Sequence, residues 1–299
     1  MESRVMGNYH ARFGVGENPE ITSKDYLSLL NSALNTWNSK MTEIWNLLIQ
    51  GPETFKGGGA WTVIQSVNGA LKGIGLGLLV LFFAMGVIKT CSGFSDMKRP
   101  EQIFKMFIRF ALAEAAVEYG LDLLLGMFSI GLGMVQTVMK SSGLIQTNGT
   151  ALPQEIIDQI NQVDFWNSIP LWIITLIGSI VIIVLSFVML LSVYGRMFRL
   201  YMYAAVSPIA FSTFAGQPTE TVGRNYLRSF AGVCMEGVMI TLACVVFSSL
   251  AMTPPVLSGM GLSPVTVVWN YVVELILNLL ILVGAVKASD RITKEVLGL

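Results

Sequence analysis

Five carboxylates lie in stretches too apolar to solvate them: Glu114, Glu118 and Asp122, spaced by four residues, and the isolated Glu236 and Glu274. On a helix, a spacing of four puts the first three on one face. Glu114 and Glu118 have the form of a carboxylate pair for general acid–base work. They could equally line a hydrophilic path, or face a bundle interior paired with a base such as Arg109. Acids within membrane helices are costly and mark functional positions by default. No further chemistry joins them. The single histidine, His10, has no companion for a metal site or a triad. Cys91, Cys234 and Cys244 sit at or inside apolar segments. Their odd number and spacing fit neither a zinc site nor a disulfide framework, so they read as packing residues. Gly73, Gly75 and Gly77 lie in an apolar helix and not in a phosphate loop ending in Lys-Ser/Thr, which argues against ATP hydrolysis. The expectation is a chain with no catalytic residues, no metal and no cofactor.

The elements that position these acids are membrane helices. Of the 299 residues, 53% are hydrophobic and only 13% are charged, against about 25% in a typical soluble domain. Mean hydropathy is +0.64. Leu171 to Tyr194 is a run of 24 residues without a charge, enough for a helix to cross a hydrocarbon core of about 30 Å. Net charge is zero, from 19 bases and 19 acids, and no basic patch points to nucleic-acid binding. The first 25 residues are polar and show no signal peptide, so insertion is expected to use an internal segment.

A helix of about 26–49 carries an apolar stripe at Leu27, Leu30, Leu34, Trp37, Met41, Ile44 and Leu48, with Asn31, Asn35, Asn38 and Glu43 opposite. It is too polar to cross. It could lie on the membrane surface with Trp37 and Trp45 as anchors, pack on a partner, or dock on the rest of the chain. Residues 1–65 thus form an external or interfacial region, joined by the flexible Gly57-Gly58-Gly59 to a transmembrane domain, 66–299. Crossings are expected at 71–88, 111–138, 170–194, 231–251 and 265–286. Gly69, Gly73 and Gly77, four residues apart on the first, would let another helix approach closely. The second begins in an amphipathic start and is open to a break near Gly120. A soluble loop at 140–169 carries a short helix from Gln154 to Asn161 and the glycosylation-type triplet Asn148-Gly149-Thr150. Residues 200–214 are read as a broken segment that does not cross, because Pro208 removes a backbone donor and restricts the residues before it.

Bases fix the expected orientation. They gather in 89–109, in 195–230 (Arg196, Arg199, Arg224 and Arg228) and in 287–299, while 140–169 holds Lys140 alone. The positive-inside rule puts those three regions in the cytoplasm, with the N-terminus and loop 140–169 outside and the C-terminus inside. Arg196 and Arg199 would mark the inner interface and reach lipid headgroups.

The stretch from Arg199 to Gly237, RLYMYAAVSPIAFSTFAGQPTETVGRNYLRSFAGVCMEG, carries a resemblance. An arginine precedes an apolar segment ending in Ser-Pro-Ile-Ala. A polar turn, a basic-aromatic helix start at Arg224–Phe230 and a further apolar helix follow. With Arg199, Ala204, Ala205 and Pro208 as the matched positions, this resembles the VirB6/TrbL family, polytopic inner-membrane components of type IV secretion and conjugation machines. The amphipathic helix at 27–48 resembles what smaller members from Gram-positive mobile elements carry. The resemblance implies an all-α bundle and a structural channel subunit that assembles as a ring of copies. It also implies other secretion subunits as partners, including VirB4-like and coupling ATPases, together with lipid and a transient cargo. That cargo would be single-stranded DNA with its relaxase, or protein. The competing expectation is a stand-alone secondary transporter or channel with a discontinuous helix near Pro208, although no inverted repeat shows.

Overall fold

The uncharged run Leu171–Tyr194 sits in a far longer helix that organises the molecule. In the computed structural model, which describes residues 23–91, 100–141, 151–161, 165–251 and 263–298, the helices are α1 (Ser23–Leu48), α2 (Gly59–Cys91), α3 (Pro100–Ser141), α4 (Gln154–Asn161), α5 (Phe165–Ser212), α6 (Glu220–Ala251) and α7 (Pro264–Leu297). The described residues contain no strand. Helix α5 has 48 residues, roughly 70 Å at 1.5 Å per residue, and packs against α1, α2, α3, α6 and α7.

Five helices are long and apolar enough to cross a membrane: Gly59–Lys89, Ile103–Ser141, Pro170–Ala215, Glu220–Ser248 and Val265–Leu297. They coincide with the five expected crossings; four extend them, and the fourth begins earlier, at Glu220, and ends at Ser248. The short helix expected in the soluble loop is α4. His10, Asn148-Gly149-Thr150 and most of the 252–264 connection lie outside the described residues.

Two expectations change. Residues 200–214 are not broken: α5 continues through Pro208 to Ser212 and ends in a 3-10 turn at Thr213–Ala215. Helix α3 is likewise continuous past Gly120. There the Phe211 ring fills the space that a Cβ would take. The glycine is a contact point, not a hinge.

Of the three positions open to α1, the structure shows docking on the chain's own α5. Leu30, Leu34, Trp37, Ile44 and Leu48 are almost wholly buried. The two helices run in the same direction, with Lys40 over the Phe187 ring at 5.6 Å and Phe55 5.5 Å from Tyr194. Further along, the Tyr201 hydroxyl donates to the Pro52 carbonyl at 2.8 Å.

The link from α1 to α2 is a fixed turn and not a flexible joint, and α2 continues along α5 in the same direction, from Trp61 beside Tyr201 to Gly86 beside Gly216. Lys56, Gly57 and Gly58 all have positive φ (49°, 83° and 79°), and the Gly58 N–H donates to the Phe55 carbonyl at 3.1 Å. A Cβ on Gly58 would stand 2.6 Å from the Glu53 carbonyl oxygen. Gly58→Ala is therefore expected to destabilise the protein by at least about 1–2 kcal/mol, the cost of a left-handed non-glycine residue, read as a lower melting temperature in detergent. An unchanged melt would show that the turn relaxes freely.

Candidate functional site

The buried polar groups form two nodes along α5. The first surrounds Pro208. Proline cannot supply the N–H that the carbonyl four residues earlier would accept. That carbonyl belongs to Ala204, and it is served from another helix. Asn68 of α2, 2% exposed, donates through Nδ2 to Ala204 O at 2.7 Å and to Ser207 Oγ at 2.9 Å. The Ser207 hydroxyl donates to the same carbonyl at 3.0 Å. Tyr226 of α6 donates its hydroxyl to the Tyr203 carbonyl at 2.7 Å. Side chains of α2 and α6 thereby make good the backbone bonding of α5, which is how a membrane helix tolerates proline. Close approach makes this reach available. A Cβ on Gly75 would stand 2.8 Å from the Pro208 carbonyl oxygen.

The second node lies one to three turns earlier. Arg199 donates from Nη2 to both Glu236 oxygens, at 2.5 and 2.6 Å, and from Nη1 to Asp290 Oδ1 at 2.5 Å. Asp290 also accepts from Lys294 Nζ at 2.8 Å. One guanidinium thus ties α5 to α6 and α7. Arg196, three residues before it, is only 1% exposed. Its Nε donates to the Val233 carbonyl at 3.3 Å, and its guanidinium lies over the Phe128 ring at 5.4 Å. A Cβ on Gly237 would collide with the Arg196 guanidinium, so that glycine makes the room. Arg196 Nη2 has no hydrogen-bond partner among the described residues. Arg196 is an interior group, and Arg199 is half-buried and turned towards carboxylates of α6 and α7. The expectation that they reach lipid headgroups is corrected, because aromatic rings and carboxylates of neighbouring helices take their charge.

The remaining expected residues separate. Glu114, Glu118 and Asp122 do share a face of α3, and that face is exposed. Arg109 pairs with Glu220 at 3.0 Å and not with them, while Glu118 meets Lys72 of α2 at 3.0 Å. Arg224 pairs with Glu220, and Arg228 is exposed. Glu274 is exposed on α7. Glu236 is the one expected acid that the fold buries, and it is paired, not isolated.

Among the described residues Gly69, Gly73 and Gly77 meet nothing within 4 Å, so they pack none of the described helices. The close contacts fall at Gly75 and Gly86 of α2, on Pro208 and Gly216, and at Gly120 and Gly131 of α3, on Phe211 and Cys234. The sequence does not single out Asn68 or Asp290, and Gly75 stands out there only as belonging to no phosphate loop. The available signal was an amide inside an apolar helix (Asn68) and glycines eleven residues apart, which is three helical turns.

These nodes hold helices together in a polytopic membrane bundle. Residues 37–208, more than half of the chain, match the family described as TrbL/VirB6 plasmid conjugal transfer like protein, and the chain belongs to that family. No curated protein and no solved structure matches it.

Proposed function

We propose that this chain is a non-catalytic channel subunit of a conjugative type IV secretion system, seated in the cytoplasmic membrane. It helps single-stranded DNA with its relaxase, or protein, to cross that membrane. Family membership across residues 37–208 carries the reading, and the five long apolar helices support it. Copies of the chain form a ring that associates with the VirB4-like and coupling ATPases, which supply the energy. The stand-alone transporter alternative loses its main support, because α5 is continuous at Pro208.

An in-frame deletion of the gene, complemented in trans, is the direct test. Conjugative transfer is expected to be lost and restored while cell growth is unaffected. Transfer at the parental level without the gene would overturn the proposal. The purified protein is expected to be a defined oligomer that brings down the ATPases; a stable monomer that binds a small solute would favour the transporter.

The proposed orientation has the N-terminus outside and the C-terminus inside. Gln154 is exposed at the start of α4. A cysteine placed there is expected to react with a membrane-impermeant thiol reagent in intact cells. Reaction only after the cells are opened would reverse the orientation.

A further inference from the structure

We infer that the outer face of α1 lines the water-filled path of the assembled channel. This deepens the proposed function and rests on it. Every exposed position between Ser28 and Asn46 is Ser, Thr or Asn: Asn31, Ser32, Asn35, Ser39, Thr42 and Asn46 follow Ser28. They recur every three or four residues, so they form one row. The row is about 27 Å long at 1.5 Å per residue, close to the thickness of a bilayer core of about 30 Å.

Its neighbour shows what lies at that depth. Helix α1 runs beside the first half of α5, whose own exposed row is Ile173, Ile177, Ile180, Val184, Phe187 and Leu191. That row suits lipid. Amides and hydroxyls at the same level do not, because hydrocarbon offers them no hydrogen-bond partners. Nor does helix formation account for the row, since Asn, Ser and Thr are weak helix formers that compete with the backbone. The polar face therefore meets water while the α5 row meets lipid.

The row also suits a charged cargo. It carries no formal charge, and at its edge Glu43 is held between Lys40 at 2.9 Å and Lys56 at 3.1 Å. A depression of about 370 Å³, bordered by Ser39, Thr42, Asn46 and Gln50, continues it towards the Gly57 turn. Uncharged donors and acceptors wet a polyanion without trapping it. The exposed acids of α3 would repel one.

The test places cysteines in the full-length protein, within the assembled apparatus in native membranes, with Cys91→Ser as background. Cys234 and Cys244 stay, because they are buried. Asn35→Cys and Ser39→Cys are expected to react with a charged methanethiosulfonate and to lose transfer once modified. Ile177→Cys and Val184→Cys are expected to stay unmodified. Asn35→Leu/Ser39→Leu is expected to insert and assemble but to lose transfer. Absence of modification at 35 and 39, cross-linking of these positions between two copies, or full transfer by the leucine variant would overturn the lining. If deletion of the gene abolishes transfer while position 35 stays unmodified, only the lining falls. If position 35 reacts but the gene is dispensable for transfer, the proposed function falls.

Discussion

Replacing Arg199 with methionine is expected to cost about 3–5 kcal/mol, the usual penalty for removing one member of a buried ion pair. The loss sits on Glu236, whose side chain is 6% exposed and would keep a carboxylate with no counter-charge in hydrogen-bond contact. Asp290, at 36% exposure, remains near water and retains Lys294, so it adds at most about 1 kcal/mol. The double variant Arg199→Met/Glu236→Leu is expected to recover most of the stability, because it removes both charges together. Arg196→Met should behave in the opposite way. That guanidinium is buried without a carboxylate bonded to it among the described residues and with one nitrogen unsatisfied. Taking away such a charge relieves a desolvation cost. Melting of the detergent-solubilised protein is expected to fall sharply for Arg199→Met and to hold or rise for Arg196→Met. Equal effects of the two would mean that the carboxylates are shared between the arginines.

The second large effect is expected at Asn68. Asn68→Leu removes two hydrogen bonds and leaves the Ala204 carbonyl with only Ser207. An unsatisfied buried acceptor costs about 1–3 kcal/mol. Pro208→Ala in the same chain should repair much of this, because alanine returns the N–H that Ala204 would otherwise accept. The two changes are thus expected to be non-additive, as groups sharing one partner are. Additive melting shifts across the four proteins would show that Asn68 does not act through the proline. Pro208→Ala alone is expected to leave insertion intact.

This pair shows where the sequence was legible. Periodicity alone located α1, α4 and all five long helices, because a stripe or an uncharged run is a local property. Pro208 was visible too, but its meaning was not. A proline that breaks a helix and one whose lost bond is replaced look alike until Asn68, more than a hundred residues earlier, is brought beside it. Arg196 and Arg199 posed the same difficulty. They have one residue type and nearly one position, yet one points between Phe128 and Gly237 and the other towards two carboxylates. The four-residue glycine rule chose Gly69, Gly73 and Gly77 over Gly75 and Gly86. Spacing states which residues share a face, but not which face meets a neighbour.

The docking of α1 on α5 has a consequence for how the protein is made. Lys40 meets Phe187, about 150 residues later in the chain, and at 5–20 residues per second the ribosome needs on the order of ten seconds to supply that partner. Throughout that interval the stripe from Leu30 to Leu48 has nothing of its own chain to cover it. The nascent helix must be sheltered, and a bilayer surface shelters an amphipathic helix well. An interfacial position of the helix is therefore expected as a stage of biogenesis. Handover from headgroups to α5 is then the late step that closes the bundle.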